Sequence, residues 1–173
     1  MTTTTTTITP GRILLALVAI LTAAGGFLAD MNETHIYNPR WPPHAKFHNG
    51  QTMSMGLLLG LSSLYYLFGR SSSSREPRAL AQALAQELSS LWTAAWLGSL
   101  YWVTQLSAAL YPGSLPVDPE FGQGFPQAYI CVVLLSMVVV GTGWDAKKAV
   151  DSRMTKNCSS ESTDRQRLCI NYE

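Results

Sequence analysis

The chain has 173 residues, twelve of them basic and eleven acidic, for a net charge of +1. At 13%, charged residues are about half as frequent as in a soluble domain. They are also bunched, leaving uncharged gaps at 13–29, 47–69, 88–117 and 121–144. That pattern argues against a soluble enzyme, a nucleic-acid binder and a secreted disulfide scaffold, and it makes the lipid bilayer the first expected partner.

In chain order, Thr2 to Thr7 is a polar tract with no apolar face, so residues 1–11 are expected to be disordered. Residues 13–29 (ILLALVAILTAAGGFLA) are just long enough to cross a hydrocarbon core, which takes about 20 residues. They exceed a cleaved signal peptide's apolar region and read as a retained signal anchor. A polar loop follows, then a second span at about 50–69 with Gly56 and Gly60 at GxxxG spacing. Ser71 to Ser74 reads as a turn, and Pro77 opens a helix. Residues 79–87 either extend span three or lie on the membrane surface as a short helix of their own.

Span three, at about 88–110, carries Trp92, Trp96, Tyr101, Trp102 and one strongly polar residue, Gln105. After a loop rich in proline and glycine, span four covers about 127–144. Its Val138, Val139 and Val140 favour a strand in water. In lipid a lone strand leaves its backbone unpaired, so a helix is expected. Small residues bring helices together in membranes. Spans two and three are expected to meet through Gly56, Gly60 and Ser63 on one side and Ala94, Ala95, Gly98 and Ser99 on the other. The same Gly56/Gly60 pair offers an alternative contact with a second copy of the chain.

The domain from 12 to 145 is thus expected to be an all-α, four-span transmembrane bundle, followed by a polar cytosolic tail at 146–173. Ten of the twelve basic residues precede span one, lie between spans two and three, or follow span four. By the positive-inside rule both termini are cytosolic. Cys158 and Cys169 then lie where thiols stay reduced, and the loops at 30–52 and 112–126 face a lumen, as in the endoplasmic reticulum or another endomembrane.

The first loop holds all three histidines, His35, His44 and His48. Pro42 and Pro43 force extended backbone and then permit a helix start. His44 and His48 become i and i+4 on one face of it, and Asp30, Glu33, His35, Asn38 and Arg40 can fold back toward them. Two readings stand for this loop. It is an interfacial anchor in which Trp41, Tyr37 and Phe47 sit at headgroup level. Alternatively it is a site: His35, His44 and His48 handle protons, Glu33 and Asp30 orient or neutralise them, and Arg40, Asn38, Trp41 and Gln105 hold a substrate. The HxxxH spacing also suits a transition metal, but HExxH is absent, and no metal or other cofactor is expected. The triplet Asn32-Glu33-Thr34 is a glycan acceptor by sequence. It lies too near the membrane for transferase access, so Asn32 is expected to be bare. No charge lies inside any span, which argues against an ion channel or pump.

The stretch from His35 to His48, HIYNPRWPPHAKFH, resembles a motif of small four-helix membrane proteins of filamentous fungi whose function is unassigned. That resemblance implies a link to secondary-metabolite biosynthesis. In size and helix number the chain is also similar to emopamil-binding-like isomerases and anthrone-oxygenase-like proteins, a likeness of architecture that brings no residue roles with it. The expected function is a membrane-embedded enzyme or accessory acting on a lipophilic small molecule, by isomerisation or cofactor-independent oxygenation. The rivals are a non-catalytic scaffold and a small-solute facilitator.

Overall fold

The structure, a computed structural model, describes residues 8–69 and 77–170. The threonine tract at 2–7 and the serine turn at 71–74 lie outside the described residues. Four long helices follow one another: α1 (Pro10–Asp30), α2 (Pro43–Leu64), α3 (Pro77–Ser107) and α4 (Pro126–Ile170). Each begins at a proline. The first turn of a helix leaves its N–H groups without intrahelical partners, so a residue with no N–H and a pre-set φ costs nothing there. A π turn at Tyr65–Gly69 extends α2, and a 3-10 turn at Ala108–Leu110 ends α3. No strand occurs among the described residues, and Val138 to Val140 are helical.

Among the described residues three helical stretches, Pro10–Asp30, Pro43–Gly69 and Pro126–Thr155, are long and apolar enough to cross a membrane. Helix α3 has the length, with 31 residues. Its aliphatic content is diluted by four large rings and by Ser89, Ser90, Thr93, Ser99, Thr104 and Gln105. It runs unbroken from Pro77, so residues 79–87 are an extension of α3 and not a separate surface helix. Helix α4 likewise continues as far as Ile170, through most of the polar segment that follows the apolar stretch.

Helix α1 packs between α2 and α4, and α3 closes the ring by packing on both. α1 and α3 also touch across the middle, whereas among the described residues α2 and α4 do not meet. The close approaches differ from the sequence expectation. Gly60 of α2 lies on α1, and Gly56 lies between α1 and the Tyr101 ring of α3. A Cβ at Gly60 would fall 2.7 Å from the Cβ of Ala23, and one at Gly56 would fall 2.9 Å from the Thr22 carbonyl oxygen. Both glycines are buried, so the face offered for a second copy is filled within the chain. Helix α3 meets α2 through Ser63, whose hydroxyl donates to the Ala94 carbonyl at 2.8 Å, beside Gly98. The core is built from Leu15, Val18, Leu67, Leu91, Ala94, Ala95, Trp102, Cys131, Leu134 and Val138. Outward-facing Leu17, Ile20, Leu58, Leu61, Val139 and Val140 are exposed, as lipid-facing positions require.

One end of the bundle, where α1 and α3 begin, is tied by charge. Thr9 caps α1: its hydroxyl accepts from the Arg12 N–H at 3.1 Å and donates to Asp145 at 2.6 Å. Arg12 reaches Glu87 on α3 at 3.2 Å and Asp145 on α4 at 3.5 Å, and Arg153 reaches Glu87 at 3.6 Å. Asp145 is only 6% exposed. A carboxylate that buried persists when paired, and Arg12 is the pairing cation. The opposite end carries both described loops, and there the helices enclose a cavity.

Candidate cavity site at the loop end

The cavity has a volume of about 1120 Å³, at the upper end of the roughly 300–1,000 Å³ usual for small-molecule sites. The last turns of α1 and α3 and the first turns of α2 and α4 form its wall, and the 112–125 loop lies over it. The wall is mostly apolar, with Leu21, Trp102, Phe121, Phe125, Ile130 and Val133 among its residues. Asp30, Thr34, His35, His48 and Asn49 gather around the end of α1; Tyr101 and Gln105 of α3, Ser114 and Asp118 of the second loop and Gln127 of α4 also line the cavity.

Local chain geometry explains this gathering. Helix α1 ends at Asp30, and the chain turns sharply so that Ile36 N–H bonds back to the Asp30 carbonyl at 3.1 Å and Tyr37 N–H to the Asn32 carbonyl at 2.9 Å. The turn is fastened by Asn32. Its side-chain oxygen accepts from the Thr34 N–H at 2.8 Å and from the Thr34 hydroxyl at 2.6 Å, and its amide nitrogen donates to the Ala29 carbonyl at 2.7 Å. This is an Asx turn. The Asn32-Glu33-Thr34 triplet, a glycan acceptor by sequence, is thus also a structural fastener. The turn sets His35 with its Nδ1 2.6 Å from the Thr34 hydroxyl and 3.8 Å from Asp30 Oδ1. Asn49 on α2 donates to the other Asp30 oxygen at 2.8 Å. Trp41 meets the His35 ring edge-on, with centroids 4.8 Å apart.

The remaining sequence-predicted residues divide. His44 and His48 do share a face of α2, with their Nε2 atoms 3.1 Å apart and both rings exposed. Only His48 lines the cavity. His35 lies with Asp30, and the hydrogen bonds and ion pairs of the structure join it to neither of the other two histidines. Among the described residues no three His, Cys, Asp or Glu side chains form a group that could hold a metal ion. Asn38 is buried, and its side chain accepts from the Arg40 N–H at 2.9 Å, a second turn fastener. Arg40 pairs with Glu120, which ties the first loop to the second; its charge is engaged there. Glu33 is exposed and Gln105 and Trp41 are on the cavity wall.

Sequence reading missed Thr34, Asn49, Tyr101 and Gln127. Gln127 carried a signal: it is a polar residue in the first turn of an apolar helix, and its amide donates to the Pro116 carbonyl at 2.8 Å, pinning the second loop over the cavity. Asn49 carried one too, lying one residue past His48 and so turned from the exposed histidine face toward α1.

The arrangement can hold an apolar molecule of considerable size and present it with a carboxylate–imidazole pair on one wall. No curated protein and no solved structure matches the chain. A family profile matches residues 14–155, which take in all of both loops and most of the four-helix bundle. The chain belongs to a family of unknown function, DUF6640.

Proposed function

We propose that this protein takes a lipophilic small molecule from the bilayer into the loop-end cavity and moves a proton on it. His35 is the base, Asp30 is its charge partner, and His48, Gln105 and Trp41 contact the ligand. The observation that carries this reading is a largely apolar cavity of about 1120 Å³ with Asp30 and His35 on its wall. An apolar cavity with a few convergent polar groups is the ordinary form of a small-molecule site. Imidazole beside a carboxylate is the ordinary form of a proton-transfer pair near neutral pH.

Isomerase-type chemistry needs nothing more. The base removes a proton from a carbon next to a double bond, the electrons shift the double bond, and the same proton returns at the far carbon. Deprotonation is also the opening step of a cofactor-independent oxygenation, so both expected reaction types use the same base. The bundle is proposed to sit in an endomembrane, with α3 as the fourth span, both termini cytosolic and the cavity toward the lumen. The ligand is proposed to be a secondary metabolite, a reading that rests on the resemblance of the His35–His48 motif. The scaffold reading is weakened because the Gly56/Gly60 face is covered by α1 and the Tyr101 ring.

The test is metabolite profiling in a strain lacking the gene. Wild-type protein is expected to restore the profile. His35→Ala, expressed at the same level, is expected to leave the product absent and its precursor accumulated. A normal profile from His35→Ala would overturn the catalytic reading.

A further inference from the structure

The Asn32–Thr34 turn decides more than where the histidine sits. Two contacts fix which way round the Asn32 amide lies. The Thr34 N–H can only donate, so the atom 2.8 Å from it is the oxygen. The Ala29 carbonyl can only accept, so the atom 2.7 Å from it is the NH₂ nitrogen. Asn32 Oδ1 is therefore an acceptor with no proton of its own.

Thr34 Oγ1 lies 2.6 Å from that oxygen. At such a distance one of the two must donate, and only the hydroxyl has a proton, so the single Thr34 proton is committed to Asn32. The hydroxyl also lies 2.6 Å from His35 Nδ1. With its proton spent, Thr34 Oγ1 can only accept there, and Nδ1 must be the donor. A neutral imidazole with its proton on Nδ1 has a bare lone pair on Nε2, since the partner of one ring nitrogen sets the state of the other.

We propose that Nε2 of His35 is the proton-accepting atom of the cavity, and that Asn32 and Thr34 are positioning residues which hold the ring in the Nδ1–H form. The proposal rests on the base role given to His35 above and says which atom performs it. When Nε2 takes a proton from a ligand C–H or O–H, the electron pair of that bond stays on the ligand and the ring becomes a cation. Nδ1 keeps its proton, and Asp30 Oδ1 at 3.8 Å faces the new charge. Asn49 holds the other Asp30 oxygen, so the carboxylate does not have to move. Return of the proton from Nε2 to a second ligand atom restores the neutral ring in its starting form, with no oxidant or reductant consumed.

The same wiring separates His35 from the His44–His48 pair. Those two rings meet nitrogen to nitrogen at 3.1 Å, and His48 Nδ1 lies 3.4 Å from the Gln51 side-chain oxygen, so both depend on side chains of their own helix. His35 is anchored through Thr34 and Asn32 to the Ala29 carbonyl in the last turn of α1.

The test is nitrogen NMR of full-length protein with labelled histidine in nanodiscs, with the His35 signals assigned by their absence from His35→Gln. A pyridine-type Nε2 and a pyrrole-type Nδ1 are expected in the neutral ring. Thr34→Val keeps the shape and the N–H bond to Asn32 but removes the hydroxyl. It is expected to shift His35 toward the Nε2–H form that free histidine prefers, and Thr34→Ser is expected to restore the wild-type signature. A pyridine-type Nδ1 in the wild-type protein would overturn the proposal. An unchanged spectrum in Thr34→Val would overturn it as well, because the proton would then be held by Asp30 alone. The spectrum is read without ligand, so a failed metabolite test with the expected spectrum would remove the catalytic role and leave the tautomer assignment standing.

Discussion

At the scale of single residues, the middle of the bundle is held by polar groups with nowhere else to go. Thr22 is 0% exposed and Trp102 is 8% exposed. The indole N–H donates to the Thr22 hydroxyl at 2.9 Å, and that hydroxyl donates to the Val18 carbonyl at 2.8 Å. Thr22 thus satisfies its own helix and a neighbour's ring together. Thr22→Val strands the indole N–H. An interhelical hydrogen bond in lipid averages roughly 0.6 kcal/mol, whereas an unpaired buried donor costs roughly 1–3 kcal/mol, so a loss of about 1 kcal/mol is expected. It should appear as a lower midpoint in detergent unfolding, with Thr22→Ser close to wild type. Equal midpoints for wild type and Thr22→Val would show that the contact carries no stability. Neither Thr22 nor its partner announces itself in the sequence, because a threonine inside an apolar run satisfies its own backbone wherever it lies. The His44/His48 pair was legible because i, i+4 spacing is a property of one helix. Asp30 was expected beside the histidines, but which of the three it would meet was not legible, because that depends on a turn whose own fastener, Asn32, reads first as a glycan signal.

At the scale of elements, small residues determined how closely the helices approach and left the choice of partner to the whole ring. The GxxxG spacing of α2 was visible, but its neighbour is α1, with Ala19 and Ala23 against Gly60. The GxxxG pattern gives the depth of a groove and not the identity of the ridge that fills it. The chain between α1 and α2 is tightly turned on itself, which sets the two helices side by side. Gly60→Ile is expected to prevent the α1–α2 contact altogether, giving no folded monomer by size exclusion. Gly143 has nothing within 4 Å of where a Cβ would stand. Gly143→Ala is therefore expected to raise stability, by about 0.5–1 kcal/mol. If Gly60→Ile eluted as a native-like monomer, the α1–α2 register described above would be wrong. The helices themselves were legible from charge-free length and from proline starts, and their close contacts were not.

At the scale of the whole molecule, the two ends have opposite designs. The end where α1 begins is closed by Thr9, Arg12, Glu87, Asp145 and Arg153, drawn from three helices. The loop end is held open by bulky rings and by two loops that Arg40 and Glu120 join. The residues of both clusters were visible as charges flanking apolar runs. Their pairing was not, since Arg12 and Asp145 stand far apart in the chain and no periodicity links them. The 112–125 loop that covers the cavity is pinned by the Gln127 amide, which the sequence marked only as a polar residue in the first turn of an apolar helix.

Ligand occupancy tests the account most directly. Gly25 lines the cavity, and a Cβ there would touch only Trp102, at 3.8 Å, so Gly25→Phe fills the cavity without disturbing a helix contact. Wild-type protein purified into nanodiscs is expected to carry a lipophilic molecule that native mass spectrometry detects at one copy per chain. Gly25→Phe is expected to fold with unchanged helix content and to lack it. Recovery of the same molecule from both proteins, or of none from the wild type, would contradict the account.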